Sequence, residues 1–286
     1  MKRTLVFFAV LLIALGAFAQ NVPETNPNTH HFPVQGWARP GGGGGQNLSY
    51  HSGGKVIPVA HVVFIFWGQS FNNTGSPDFQ YAQTLQNFRN QFGTTPEFKT
   101  ITQYYQNING TTNIQLSALG AGTADMFDTS LPPTNVTDAA VQSEVLKYLG
   151  SNAFDASAVY EVIIPSSSYS SDGTSTSCGG PSLAYCAYHG NFSSSYGDVK
   201  YAIGPYPSCS GCQTAGWSAV QNAEHFICHE TREAVTDPDL NAWFDRRGNE
   251  ADDKCAWSPT PFIGTNGYSY QYEWSNAVSG CVKSTP

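Results

Sequence analysis

The chain has 286 residues, a formal net charge of −8 and 12% charged residues, roughly half the charged share of a typical soluble domain. Serine, threonine, asparagine, glutamine and glycine supply the polarity instead. This acidic chain has no basic stripe outside its first residues, which argues against a nucleic-acid partner.

The N-terminus has the features of a secretory signal peptide. Lys2 and Arg3 supply a positive start, an apolar run follows, and Ala17-Phe18-Ala19 is a small-residue cleavage site. The apolar run is short for a membrane span, and no later segment has about 18 continuous apolar residues. We expect cleavage after residues 1–19 and a secreted protein, extracellular or periplasmic, with no membrane association after cleavage. A retained membrane anchor is the alternative.

Residues 20–54 include the sequence PETNPNTHHFPVQGWARPGGGGGQ, which has prolines, five consecutive glycines and no periodicity. This composition is typical of a flexible tether. His30 and His31 lie within it and could bind a metal loosely, but we expect them to belong to a solvated tail. Residues 55–286 contain no second linker and no internal repeat, which predicts one globular domain.

Strands and helices alternate along this domain. Continuous apolar runs predict buried strands, and a Ser-Pro start followed by apolar residues at helical spacing predicts a helix. The predicted strands are His61–Trp67, Thr111–Leu119, Val159–Pro165 and Asp198–Tyr206, and the predicted helices begin at Ser76, Thr95, Thr137 and Ala215. The interleaving predicts an α/β or α+β domain with a mixed sheet.

Two details of this arrangement bear on function. Asp198–Tyr206 is expected at a sheet edge, because Gly204 and Pro205 end it. The serine-rich run 166–177 is expected to be a flexible loop. An edge strand followed by a long helix that carries His-Glu is also the layout of zinc-peptidase domains, so we expect a zincin-like helix by analogy.

Seven cysteines occur, all beyond residue 177. In an exported protein, disulfides are the default interpretation, and an odd count leaves one thiol over. The spacing suggests the pairs Cys178–Cys186, Cys209–Cys212 and Cys255–Cys281, with Cys228 free.

The last helix carries HFICHETREAVTDP, residues 225–238. Residues four apart lie on one helix face, so His225, His229 and Glu233 form a polar row. His229 and Glu233 can offer a nitrogen and an oxygen at about 2.0–2.2 Å from one zinc ion. Glu230 is placed to reach a metal-bound water, whose pKa zinc lowers to about 7.

Three residues elsewhere are candidates to complete a metal site: Glu250 and Asp253 in NEADDKC, and His189 in CAYHGNF. The bland alternatives are a solvated helix face, a solvated acidic loop, a bystander loop histidine, and an Arg232 that simply pairs with a carboxylate. A carboxylate in place of a second imidazole weakens the Lewis acidity of zinc and admits Ca²⁺ or Mn²⁺.

The segment HETREAVTDPDLNAWFDRRGNEADDKC resembles the signature of the phosphate-induced/EXORDIUM family of secreted proteins, known chiefly from plant cell walls and with bacterial relatives. The matching positions are His229, Glu230, Glu233, Thr236-Asp237-Pro238, Asn241-Ala242-Trp243, Glu250, Asp253 and Cys255. The stretches CGGPSLAYCAYHG and EWSNAVSGC also resemble family segments. Cys228 departs from the pattern, in which a small residue such as alanine is usual. The resemblance implies an extracellular protein linked to growth or wall processes, and no particular enzymatic activity.

Two functions fit these residues. The first is a secreted zinc-dependent hydrolase of peptide bonds, with His229 and Glu233 as ligands, Glu250, His189 or Asp253 completing the site, and Glu230 as the base that activates water. The second is a non-catalytic extracellular module that binds glycans through its fifteen tyrosines and six tryptophans and holds a structural ion on Glu250, Asp252 and Asp253. The partner is accordingly an extracellular peptide or protein, or a cell-wall polymer.

Overall fold

The computed structural model describes residues 28–36 and 46–285. The predicted signal peptide and the five glycines lie outside these described residues. The helices are α1 (Pro77–Phe92), α2 (Pro96–Lys99), α3 (Asp138–Leu149) and α4 (Ala219–Thr236). The strands are β1 (Thr29–Pro33), β2 (Ser49–Tyr50), β3 (His61–Trp67), β4 (Tyr105–Asn107), β5 (Thr111–Asn113), β6 (Met126–Asp128), β7 (Asn135–Thr137), β8 (Ala158–Ile163), β9 (Tyr169–Ser171), β10 (Tyr185–Ser194), β11 (Gly197–Gly204), β12 (Trp243–Phe244), β13 (Phe262–Ile263), β14 (Ser269–Tyr270), β15 (Glu273–Ser275) and β16 (Gly280–Val282).

A six-stranded mixed sheet organises the domain, in the order β1-β10-β11-β8-β3-β6. Strands β11, β8, β3 and β6 run parallel to one another. Strand β10 is antiparallel to β11, and β1 is antiparallel to β10. This mixed sheet with its packed helices confirms the predicted α/β or α+β class.

Both faces of the sheet are covered by helices. In β3, Phe64 and Phe66 point into a core shared with α1 and α4, whereas Val63 and Ile65 point into a second core shared with α3. A strand buried on both faces has apolar residues at every position, which is why the run HVVFIFW was recognisable as β3.

Strand β11 lies inside the sheet, between β10 and β8, so the predicted edge position of Asp198–Tyr206 is wrong. The sequence interpretation missed β10, which covers that side. The segment CAYHGNF does not indicate a strand, because its apolar and polar residues show no clear alternation.

Two other predicted elements are shorter than expected. The helix expected from Thr95 ends at Lys99 and continues as a 3₁₀ turn, Thr100–Gln103. Its β-branched residues Thr100, Ile101 and Thr102 have lower helix propensity. The strand expected from Thr111 ends at Asn113. The serine-rich run expected to be a loop contains β9, with Ser170 and Ser177 fully buried.

The segment expected to be a flexible tether contains the edge strand β1. His30 pairs with His189 and Phe32 pairs with Ala187 across the β1–β10 ladder. Phe32 is fully buried. The sequence interpretation missed this strand because β1 contributes few apolar residues to a stretch that is otherwise polar and rich in proline.

Three disulfides cross-link the described residues: Cys178–Cys209, Cys186–Cys212 and Cys255–Cys281. The third pair and the buried free thiol of Cys228 agree with the prediction, and the first two pairings correct it. In the CxxC segment, Cys209 bonds to Cys178, which precedes β10, and Cys212 bonds to Cys186, which lies in β10. The spacing of cysteines along the chain does not show that the CxxC segment lies close to β10. Three disulfides are typical of an oxidising, extracellular-type environment. Among the described residues, no helix combines the length and apolarity of a membrane span.

Candidate metal centre

The candidate metal centre is buried, because the site residues of α4 lie in the protein interior. Ser218 caps the start of α4 through a capping box with Gln221, so the helix begins after Gly216 rather than at the predicted Ala215. Asp237 caps its end, immediately before Pro238. Every residue from Asn222 to Thr236 is buried, because α4 packs against both the sheet and α1.

The sequence-predicted site residues meet between α4, β10 and the segment after β12. Together with His30, they form three overlapping groups in which the candidate ligand atoms lie within 4.8 Å of one another: His229, Glu233 and Asp253; His189, Glu230 and Glu233; and His30, Glu233 and Glu250. Glu233 belongs to all three groups. The expected convergence of His189, Glu250 and Asp253 on the helix residues is therefore present in the structure.

Gln271, a residue outside every motif in the sequence analysis, sets the orientation of His229. The Gln271 side-chain amide donates to Asp252, at 2.7 Å to the backbone oxygen and 2.9 Å to Oδ1. Its Oε1 therefore accepts from His229 Nδ1–H at 3.1 Å and from His225 Nε2–H at 2.8 Å. This leaves His229 Nε2 facing Glu233 Oε2 at 3.1 Å.

Glu233 and Glu250 are both tied to Asp253. The backbone N–H of Asp253 donates to Glu233 Oε1 at 2.9 Å. The backbone N–H of Glu250 donates to Asp253 Oδ2 at 3.1 Å. The segment after β12 thus places the carboxylates of Glu250 and Asp253 beside that of Glu233. Bringing three buried carboxylates together costs free energy unless a cation or protons compensate their charge.

His189 and Glu230 form a buried pair. His189 Nδ1 lies 3.0 Å from Glu230 Oε2, while His189 Nε2 faces Glu250 Oε1 at 3.7 Å. Both side chains are fully buried. His189 reaches α4 from β10, the strand next to the sheet edge, because β10 packs against the helix.

His30 is the site residue that sequence reasoning set aside. Its Nε2 lies 2.7 Å from Asp253 Oδ2, and its Nδ1 lies 3.5 Å from Glu250 Oε1. A usable signal was the histidine pair itself, since adjacent strand residues point to opposite faces. His30 points to the centre and His31 points away, to Asp172.

An aromatic wall closes the centre on the side of β1. The Phe32 ring stacks on His229, with 4.1 Å between ring centroids, and also on Trp257 at 5.1 Å. A cavity of about 120 Å³ reaches the centre from another side and is lined by His30, Asp237, Leu240, Phe244, Gly248 and Glu250. This cavity can hold a few waters and is smaller than the roughly 300–1,000 Å³ of a typical ligand pocket.

Burial and mutual repulsion displace the pKa values of these groups. Burial, reinforced by Glu233, holds the pKa of Glu230 well above its usual range. Burial and the same neighbour do so for Glu250. Burial lowers the pKa of His189. For His229 burial acts in the same direction, but the Glu233 carboxylate outweighs it and raises the pKa to about 9. A bound cation acts oppositely and favours ionised carboxylates and neutral imidazoles.

Several buried atoms of the centre have no hydrogen-bond partner among the described residues. They are His189 Nε2, Glu230 Oε1 and Glu250 Oε2, together with His229 Nε2 and Glu233 Oε2, which lie 3.1 Å from each other as an ion pair. Buried polar atoms are nearly always satisfied, so this concentration indicates a ligand. Two atoms that each lie about 2.1 Å from one zinc ion are separated by roughly 3–4 Å, the spacing found here. The mixture of imidazole and carboxylate donors suits zinc or manganese better than calcium, which takes oxygen ligands.

Two nearby residues have structural roles. Arg232 is fully buried and pairs with Asp252, as well as with Glu273 at 2.6 Å. The hypothesis that Arg232 only pairs with a carboxylate is therefore correct. The oxygen-ligand trio that included Asp252 is not assembled. Cys228 is fully buried, and burial raises its thiol pKa to about 12, so it fills space.

Glu161 is a further buried carboxylate that the sequence did not single out. It lies on β8, and both of its carboxylate oxygens lack a hydrogen-bond partner among the described residues. Burial raises its pKa to about 8. Its charge also contributes to the raised pKa of Glu230.

Comparison of the chain with protein-family models, with curated proteins and with solved structures found no match in any of the three. The interpretation of the centre therefore depends on its geometry, and the EXORDIUM resemblance remains a prediction from motifs.

Proposed function

We propose that the protein is a secreted, metal-dependent hydrolase that acts on extracellular peptides. The observation that carries this proposal is the convergence of His229, Glu233 and Asp253 at metal-ligand spacing, next to the unpartnered Glu230 Oε1. We assign these three residues as the ligands of a zinc ion, with manganese as the alternative metal. The predicted signal peptide, the disulfides and the EXORDIUM resemblance support the extracellular location.

Glu230 is the proposed general base. A bound zinc ion supplies a water of lowered pKa and polarises the scissile carbonyl. Glu230 Oε2 is held by His189 at 3.0 Å, which leaves Oε1 free to accept the proton of that water. A carboxylate whose burial raises its pKa is suited to proton transfer near neutral pH. His189 positions the base and stabilises it when it is ionised.

The proposal is tested by metal content and activity in two glutamate variants. Glu233→Ala removes a ligand, so bound zinc should be lost. Glu230→Gln preserves shape but cannot accept a proton, so metal content should stay at the wild-type level. Its rate on a broad peptide library should fall by roughly 10²–10⁴, the usual contribution of a general base. Loss of metal from Glu230→Gln would make Glu230 a ligand and overturn the assigned mechanism.

The burial of the centre favours a second candidate, a non-catalytic extracellular module with a structural metal. Glu230, Glu233 and His229 are fully buried, and the cavity is small for a peptide. If the wild-type protein binds metal and chelation lowers its melting temperature, while no peptide is cleaved, this second function replaces the first.

A further inference from the structure

We propose that the centre holds two divalent cations, bridged by Glu233. The first is the ion of the proposed function, on His229, Glu233 and Asp253, and the second is held by His30, Glu233 and Glu250. This inference depends on the proposed metal site and extends it. It makes the N-terminal strand β1 part of the centre.

The second ligand group is as compact as the first. In each group the candidate ligand atoms lie within 4.8 Å of one another. His30 Nδ1 lies 3.5 Å from Glu250 Oε1, and the corresponding contact in the first group, from His229 Nε2 to Glu233 Oε2, is 3.1 Å. Both distances fit two ligands that share one ion at about 2.1 Å.

The two histidines are oriented in the same way. A metal-ligating histidine usually donates its other ring N–H to an oxygen acceptor. His229 donates Nδ1–H to Gln271 Oε1 at 3.1 Å and presents Nε2 to the first group. His30 donates Nε2–H to Asp253 Oδ2 at 2.7 Å and presents Nδ1 to Glu250. Each ring is therefore positioned as a neutral ligand.

Glu233 is placed to bridge the two ions. It is the member common to both ligand groups. Its Oε1 accepts a single backbone hydrogen bond at 2.9 Å, from Asp253, and its Oε2 has no hydrogen-bond partner among the described residues. Paired ions in two-metal hydrolases lie about 3.5–4 Å apart, a separation that one carboxylate spans.

Charge balance also favours two ions. The carboxylates of Glu230, Glu233, Glu250 and Asp253 carry four negative charges when all are ionised, and all four take part in the groups at the centre. In the metal-bound state, where carboxylates are ionised and imidazoles neutral, one divalent ion would balance two of these charges and two ions would balance all four. The nearby Arg232 is paired with Asp252 and Glu273. Uncompensated buried charge is costly, and Glu250 Oε2 is both buried and unpartnered among the described residues.

The test is a count of bound ions in the full mature chain. After chelator treatment, the protein is titrated with Zn²⁺ and its bound ions are counted by native mass spectrometry. The wild type should bind two ions and His30→Ala one. His31→Ala is the matched control, because His31 lies on the same strand but contacts Asp172 on the opposite face. This control should still bind two ions.

The outcomes separate this inference from the proposed function. A single ion in the wild type overturns the second site and leaves the hydrolase proposal standing, whereas no bound ion overturns both. Two ions in His30→Ala overturn the assignment of His30. Should His30→Ala fail to fold, Mn²⁺ loaded into the wild type decides by electron paramagnetic resonance. A spin-coupled spectrum supports the bridged pair, and the signal of isolated Mn²⁺ alone contradicts it.

Discussion

Helix α4 carries two buried charged clusters that differ in how their charge is compensated. On one side, the Arg232 guanidinium pairs with Asp252 and Glu273, and burial raises the pKa of Glu273 well above its usual range. On another side, Glu233 meets carboxylates and histidines, and several of their atoms have no partner among the described residues. The Arg232 cluster contains its own arginine cation, whereas no arginine or lysine pairs with the Glu233 cluster among the described residues. The same helix therefore provides both a structural anchor and a candidate functional centre.

The largest effect should come from breaking the self-contained cluster. Arg232→Met leaves Asp252 buried without its counter-charge, which should lower the free energy of unfolding by about 3–5 kcal/mol. Urea denaturation should give this loss both with and without zinc. The matched control is Lys147→Met, since Lys147 is half exposed and pairs with Asp128. Exposed pairs contribute about 0–1 kcal/mol. A loss that appears only with zinc would mean that Arg232 supports the metal centre instead.

Glu161 is a buried carboxylate whose two oxygens have no hydrogen-bond partner among the described residues, so Glu161→Gln should stabilise the protein. Its pKa is about 8 in the folded protein and about 4.3 in an unfolded chain. Between these values the unfolded chain ionises while the folded protein stays protonated, so the wild type loses about 1.4 kcal/mol per pH unit. The variant should gain roughly 3–4 kcal/mol over the wild type at pH 7 and nothing at pH 4. Denaturation at both pH values checks this, and equal stability at pH 7 would contradict it.

Metal removal should destabilise the Glu233 cluster selectively. Zinc at a hundred times its dissociation constant should stabilise the wild type by about 2.7 kcal/mol, measured as a rise in melting temperature that a chelator reverses. Arg232→Met, with its ligands intact, should keep this zinc-dependent gain if it folds. Glu233→Ala should show none of the gain. An equal gain in Glu233→Ala would place the stabilising ion elsewhere in the protein.

The smallest effect is expected at Cys228, which lies on α4 and belongs to neither cluster. Cys228→Ala deletes one buried atom and should cost about 1 kcal/mol, with unchanged metal content. Because burial raises the pKa of the thiol to about 12, the folded wild type should resist alkylation and react only in denaturant. Rapid alkylation of the folded protein would show that this part of α4 opens.

Local spacing predicted the part of the centre that lies on one helix. The i, i+4 relation of His229 and Glu233 is a property of nearby residues on one helix, and the structure confirms both the shared face and the helix. The approach of His189 and Asp253 required knowledge of which strands pair. His30 and Gln271 were missed because their contacts join residues more than 40 positions apart in sequence.

The fold shows the same division. Strand β3 and helices α1 and α3 were predicted because their buried positions are apolar, continuously along β3 and at helical spacing along α1 and α3. Strands β1 and β10 were missed because their apolar positions alternate irregularly with histidine, glycine and proline. Two of the three disulfide pairings were wrong for a related reason. Cysteine spacing describes the chain, whereas pairing depends on how the CxxC segment packs against β10.

The pairing of β1 with β10 has a consequence for the order in which the protein is made. His30 and Asp253 are 223 positions apart in sequence, so most of the chain is synthesised after His30 and before its contact residue Asp253. Strand β1 is among the first parts of the domain to be synthesised, and it can pair only after β10 has been synthesised. Such long-range pairings are slow to form because closing the long loop costs entropy before any contact is gained. The complete set of side chains around Glu233 is therefore available only after Asp253 and Gln271 have been synthesised, and an ion bound by this set would be selected after that point.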